Sequence, residues 1–200
     1  MPYPAQIDPQ ELGARALTVA EAKGWERWTL RDVARELGVT ANALYRYVGD
    51  RAGLVMAMGE AATRQLGQSF RGARRVDAGD ADAFVVQLAR RYVRFAERRP
   101  HAYRAIIEGK PPPDHPARGT WMELWRLMHA RVEAAVPGSG DAAAFTLWAF
   151  LHGRIELARG PGRLAAIDTG LDDAVRALLA GFRARSPVPS PLPPHVRSEP

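Results

Sequence analysis

Cysteine is absent from the chain, which excludes a disulfide scaffold and any metal site built on thiolates. Long apolar runs are absent too, and nothing approaches the roughly 18 consecutive apolar residues by which a membrane-spanning helix is recognised. The first residues, Met1-Pro2-Tyr3-Pro4, lack the basic-then-apolar order of a secretion signal. The expectation is a cytoplasmic protein with no membrane partner. No segment alternates apolar and polar residues as a half-buried strand does. No phosphate-cradling glycine loop follows a strand, and neither Gly-x-Ser-x-Gly nor His-Glu-x-x-His occurs. Catalysis, a cofactor and a metal therefore find no support in the sequence.

What is present is helical periodicity with clear punctuation. Across the 200 residues the fold class expected is all-α with about nine helices. Asp8, Pro9 and Glu11 make a helix start, and Leu12, Ala16, Val19 and Ala20 recur at helical spacing up to Gly24. Thr29 caps a second helix over 30–37, with Asp32 in its first turn. Gly38 stands where the chain must turn, and Thr40 caps a third helix over about 41–47 whose inward residues are Leu44 and Val48. Asp50 caps a fourth, from Arg51 to about Phe70. Later helices are expected at about 81–98, from Pro100, at 118–136, at 142–159 with Asp141 as its cap, and at 170–184. Gly72–Gly79, Gly109–Pro116 and Gly160-Pro161-Gly162 are breaks.

Two short helices joined by a glycine turn form a helix-turn-helix, whose second helix can enter the DNA major groove. Net charge does not carry this reading. The chain is +6 overall, yet residues 1–64 hold eight basic and eight acidic side chains. Any DNA affinity must rest on where particular residues point.

The order Thr29-Leu-Arg-Asp-Val-Ala-Arg-Glu-Leu-Gly-Val39, then Leu44-Tyr-Arg-Tyr-Val48, then Asp50-Arg51-x-x-Leu54 resembles the DNA-binding head of the tetracycline-repressor (TetR) family. The resemblance runs from about residue 10 to 60. More loosely, residues 141–157 with Trp148, His152 and Gly153 resemble the C-terminal domain of one branch of that family, the WHG-type branch. The resemblance implies a homodimeric regulator, usually a repressor, released from a palindromic or near-palindromic double-stranded operator by a small molecule. By position it implies base reading by Thr40, Ala41, Asn42, Ala43 and Arg46, and phosphate contacts from Tyr45, Tyr47 and Arg51, with Leu30 and Arg31 opening the helix that crosses the backbone. The chemistry is consistent with that. Asn42 can pair with adenine and Arg46 with guanine, each worth about 1–3 kcal/mol of discrimination, while small Ala41 and Ala43 allow close entry. Packing of the tyrosines on helix 1 and a solvated arginine face is the plain structural alternative.

The domain division expected is a head over 1–53, a body over 54–185, and a proline-dense tail over 186–200. In the body, Tyr92, Trp121, Trp125, Met128 and Phe150 are candidates to line a cavity for a hydrophobic effector, against the plainer reading that they are core. The helix over 142–159 is apolar nearly all round, which suggests burial on two sides. With the last helix it would form a four-helix interface between two copies, through Phe145, Trp148, His152, Gly153, Leu171, Val175, Leu178 and Phe182. His152 and Glu156 are alternatively a metal pair, one that lacks a second matching pair. A regulator that senses no ligand, an activator, and a helical interaction module without DNA binding are the competing functions.

Overall fold

The computed structural model describes residues 8–72, 80–159 and 169–185. The breaks expected at Gly72–Gly79 (past Gly72) and at Gly160-Pro161-Gly162, and the tail over 186–200, lie outside the described residues. Among the described residues the chain forms nine helices and no strand. They are α1 (Pro9–Lys23), α2 (Leu30–Glu36), α3 (Ala41–Val48), α4 (Arg51–Arg71), α5 (Ala81–Arg98), α6 (Pro100–Glu108), α7 (Arg118–Ala135), α8 (Gly140–Ala158) and α9 (Leu171–Arg183). None is long and apolar enough to cross a membrane.

The chain divides into two compact units, one of Met1–Leu66 with Arg99–Met122, the other of Gly67–Arg98 with Glu123–Pro200. In the first, α1 packs on α2 and α6, and α2 packs on α3. Its core is built from the inward stripe of each helix: Leu12, Ala16 and Leu17 of α1, Val33 and Ala34 of α2, Leu44 of α3, Leu54 and Met58 of α4, and Tyr103 of α6 are all buried. Helices α4 and α6 meet backbone to backbone. A Cβ on Gly59 would lie 2.6 Å from the Ala105 carbonyl oxygen, and one on Gly109 would lie 2.3 Å from that of Val55. Hydrogen is the largest substituent that fits at either place.

In the second unit α5, α8 and α9 pack against one another pairwise. Val85, Val86, Leu88, Ala89, Tyr92, Val93, Phe95 and Ala96 make up the buried side of α5. Helix α9 is tied near both of its ends to the middle and the start of antiparallel α5 by arginine–aspartate pairs. Arg90 Nε donates to Asp172 Oδ1 at 2.6 Å, and Arg183 Nη1 donates to Asp82 Oδ2 at 3.0 Å. The start of α8 departs from expectation. Ser139, not Asp141, occupies the N-cap, and it makes no side-chain cap. Glu133 of α7 instead accepts the N–H groups of Gly138 and Gly140 at 2.7 and 2.8 Å. Asp141, in the first turn, pairs with His129 at 2.9 Å. A carboxylate from the preceding helix thus satisfies orphan donors that the local residues leave open, a solution visible only in three dimensions.

Gly59→Ala adds a methyl group against a carbonyl oxygen. It is expected to destabilise the chain by about 1–3 kcal/mol, read as a lowered thermal midpoint. An unchanged midpoint would mean that the α4–α6 crossing relaxes freely.

Candidate nucleic-acid interface

The geometry begins at Trp28, a fully buried side chain that anchors the chain just before α2. Thr29 then forms a complete capping box with Asp32. Thr29 Oγ1 accepts from the Asp32 N–H at 3.2 Å, and Asp32 Oδ2 accepts from the Thr29 N–H at 3.0 Å and from its hydroxyl at 2.7 Å. Lys23, at the end of α1, donates to Asp32 Oδ1 at 2.5 Å. That lysine bond, followed by the Thr29 bonds, holds the Asp32 carboxyl down at about 2. Helix α2 is therefore fixed to α1 at its first turn.

Gly38, at φ 66°, makes the left-handed turn that ordinary residues rarely adopt. Thr40 caps α3, accepting the Ala43 N–H at 3.1 Å. Leu44 alone in α3 is fully buried, and Val48 is half-buried. One glycine without an assigned role in the sequence reading closes the motif. A Cβ on Gly53 would lie 1.9 Å from the Val48 carbonyl oxygen, so the end of α3 rests directly on the first turn of α4. The only sequence signal for this is a glycine in a helix start already capped by Asp50, whose carboxylate accepts the Gly53 N–H at 2.8 Å.

Anchored in this way, α3 turns its other sides outward. Asn42, Tyr45, Arg46 and Tyr47 are exposed, the tyrosines at 47% and 50%. Exposed Arg31 on α2 and Thr40 at the α3 cap accompany them, and Ala41 and Ala43 are half-buried. Among the described residues the side chains of Arg31, Asn42, Tyr45, Arg46 and Tyr47 take part in no hydrogen bond or ion pair. Two candidates sit differently. Leu30 is buried, so its side chain belongs to the core. Arg51 is exposed, but its guanidinium donates to the backbone carbonyls of Trp28 and Trp25 at 3.0 and 3.3 Å.

The candidates in the body separate as well. Trp121 belongs to the first unit. The Lys110 ammonium lies 4.8 Å and the Arg118 guanidinium 4.6 Å from its ring centroid. Burial, then the charge of Arg118, pushes Lys110 below the ordinary lysine range. Tyr92, Trp125 and Met128 are buried in the second unit and Phe150 is half-buried there. A cleft of about 510 Å³ in that unit is lined by Arg90, Arg94 and the start of α9, and by none of these four.

On α8, Ala143, Leu147, Leu151 and Ile155 face the core, while Phe145, Ala149, Gly153 and Leu157 form an exposed stripe at four-residue spacing. Phe145 is 40% and Leu157 71% exposed. On α9, Leu171 and Val175 face the unit's own core, and Leu178 and Phe182 are half-buried. Trp148 is also half-buried, its ring 4.1 Å from that of His152. His152 Nδ1 is 3.1 Å from the Trp148 carbonyl oxygen, and Nε2 is 3.1 Å from the Tyr92 hydroxyl. With Nδ1–H donated to that carbonyl, Nε2 accepts from Tyr92. Glu156 pairs with Arg159 at 3.4 Å. Among the described residues no group of three or more ligating side chains is placed to hold a metal.

Comparison with known proteins agrees with this arrangement. Residues 14–58 match the family described as bacterial regulatory proteins, tetR family, and residues 85–182 match the tetracyclin repressor-like C-terminal domain. An uncharacterized HTH-type transcriptional regulator of Mycobacterium tuberculosis is 29% identical over 192 residues, covering 92% of this chain and 85% of that protein. The fold is similar to that of a TetR variant from Acinetobacter baumannii AYE in complex with minocycline (TM-score 0.65, 20% identity, 90% of this chain and 99% of that one). It is also similar to BioQ with its double-stranded DNA operator (TM-score 0.63, 19% identity, 90% and 100% of the two chains).

Because the Asp32 carboxyl is lowered from an ordinary value of 3.8 to about 2, its contribution to stability is complete above about pH 4 and is lost as pH falls toward 2. The difference in thermal midpoint between wild type and Asp32→Asn should therefore close across that window. A difference independent of pH would remove the Lys23–Asp32 pair as its source.

Proposed function

Because the chain belongs to the tetracycline-repressor family of bacterial regulatory proteins, which are DNA-binding regulators and not enzymes, we propose that it acts as a homodimeric repressor released from its operator by a small hydrophobic ligand. The observation that carries the DNA interface is the row of unengaged side chains around α3. Arg31, Asn42, Tyr45, Arg46 and Tyr47 are exposed, and their side chains make no hydrogen bond or ion pair among the described residues. Helix α3 enters the major groove. Asn42 and Arg46 read base edges, and the methyl groups of Ala41 and Ala43 meet thymine methyls. Arg31, Tyr45 and Tyr47 hold the backbone and fix the register without reading sequence. Thr40 stands at the tip of the reading helix, and Leu30 serves from the core by fixing the start of α2.

One short helix reads few base pairs, and a second copy supplies the other half-site of a two-fold operator. The α8 stripe of Phe145, Ala149, Gly153 and Leu157 supports this reading. It is an exposed apolar strip with large residues at its two ends and small ones between them, suited to self-complementary packing about a two-fold axis. Trp148 and His152 flank that strip in sequence, and half-buried Leu178 and Phe182 are the α9 residues proposed to join the interface. In functional terms the head spans 1–53 and the body 54–185. The buried side chains Tyr92, Trp125 and Met128, with half-buried Phe150 of the same unit, are its proposed effector contacts, and Trp121, which stands in the other unit, is left out of that set. Release requires that the effector bind the operator-free form more tightly than the bound one. Such a protein works in the cytoplasm, where the chromosome is.

Selection of bound sequences from a random DNA pool tests the reading, and recovery of no preferred sequence would reject it. With the selected site in hand, Arg46→Ala should relax preference at particular base pairs, at a cost of about 1–3 kcal/mol. An identical selected profile would exclude base reading by Arg46. Phe145→Glu should convert dimers to monomers in light scattering, and a persisting dimer would move the interface off this stripe.

A further inference from the structure

We infer that Arg51 is a positioning residue that clamps the first turn of α4 to the α1–α2 connection, and that it aligns the reading helix by this clamp and not by gripping a phosphate. The inference rests on the DNA-binding reading of α3, and it departs from the phosphate contact implied for this position by the family resemblance.

Three contacts converge on one guanidinium. It lies 3.7 Å from the centroid of the Trp28 ring. Its Nη1 donates to the Trp28 carbonyl at 3.0 Å, and its Nη2 donates to the Trp25 carbonyl at 3.3 Å. The cation–π face and two N–H donors are thus engaged within the protein. Trp28 is fully buried. The carbonyls belong to a non-helical connection whose backbone acceptors have no helix partner to use. The fork satisfies two of them at once, which a single ammonium on a flexible stem does not reproduce with the same stacking.

The placement explains why this matters for reading. Trp28 immediately precedes Thr29, the N-cap of α2. Arg51 immediately follows Asp50, which caps α4 through the Gly53 N–H. Gly53 is the point where α4 meets the Val48 carbonyl at the end of α3. Arg51 therefore links the start of α2 to the start of α4, and α4 in turn supports the end of α3. The connection continues to α6. Trp25 stands edge-on to Trp28 at 6.2 Å, donates from Nε1 to Glu108 at 3.1 Å and stacks with His101 at 6.4 Å. The clamp thus holds the helix-turn-helix to a helix that lies outside it in sequence.

Two substitutions separate a clamp from a phosphate grip, because they reverse the expected order of binding. Arg51→Lys keeps the positive charge but loses the stacked fork. Arg51→Gln loses the charge but keeps a planar amide that can donate to a carbonyl. With the full chain and the selected DNA site, the clamp predicts that R51K binds about tenfold more weakly than wild type, the loss expected from forfeiting roughly 1.4 kcal/mol of stacking and hydrogen bonding. R51Q should bind no worse than R51K, and the slope of log affinity against log salt should be unchanged in both. Retention of wild-type affinity by R51K would overturn the clamp. So would a loss in R51Q accompanied by a slope shallower by about 0.9, the signature of one lost phosphate contact.

A second measurement needs no DNA. Amide hydrogen exchange of the Trp25–Asp32 segment should accelerate in R51K and R51Q relative to wild type, with α5 and α7 to α9 unaffected. Unchanged exchange in that segment would overturn the inference even if the chain selected no DNA. Failure of the DNA-binding reading is thereby distinguishable from failure of the clamp.

Discussion

An eight-residue helix in water has too few hydrogen bonds to offset the cost of nucleating it, and everything the proposed interface does depends on how α3 escapes that limit. Its stability comes from its surroundings: the Thr40 cap, the buried Leu44, and the contact between the Val48 carbonyl and Gly53. With one fully buried residue holding it, most of the helix surface is left free. That economy permits a small element to present Asn42, Tyr45, Arg46 and Tyr47 outward together. Helix α2, of seven residues, is sustained in the same way by the Thr29–Asp32 box and the Lys23 bond.

The same contacts sort charge that the composition leaves balanced. Most carboxylates of the first 64 residues are engaged. Glu11 and Glu36 bind Arg15, Asp32 binds Lys23, Glu26 binds Arg104, and Glu60 binds Arg64. Arg31 and Arg46 have no such partner among the described residues. A region with equal numbers of acids and bases thereby exposes uncommitted cations beside uncommitted tyrosine hydroxyls. Such an interface favours positioning over long-range attraction. Exposed pairs of this kind contribute little to stability individually, so their value here is in removing negative charge from competition for the free cations.

The second unit shows how an overall apolar helix divides its surface. Helix α8 buries Ala143, Leu147, Leu151 and Ile155, yet leaves Phe145, Ala149, Gly153 and Leu157 outside. Isolated exposed apolar residues are unremarkable, whereas a continuous strip is a candidate contact surface. On α9 the arginine–aspartate ties to α5 fix the helix so that Leu171 and Val175 face inward. The apolar residues nearest the outer side are then Leu178 and Phe182, both half-buried.

Local chemistry determined the helices, the Thr29 and Thr40 caps, the turn at Gly38 and the outward set around α3, because periodicity and capping act over a few residues and are written in adjacent letters. The all-α class followed from the same signals. Only the tertiary structure decided that Glu133 and not Asp141 would serve the start of α8, that Leu30, Leu171 and Val175 would face the core, and that Gly53 would admit the end of α3. It also decided the fate of the guanidinium at the start of α4. An arginine beside a helix cap looks the same in sequence whether it reaches for solvent or folds back. What turned it back was the buried ring of Trp28 and two carbonyls more than twenty residues away, a partnership that no local pattern encodes.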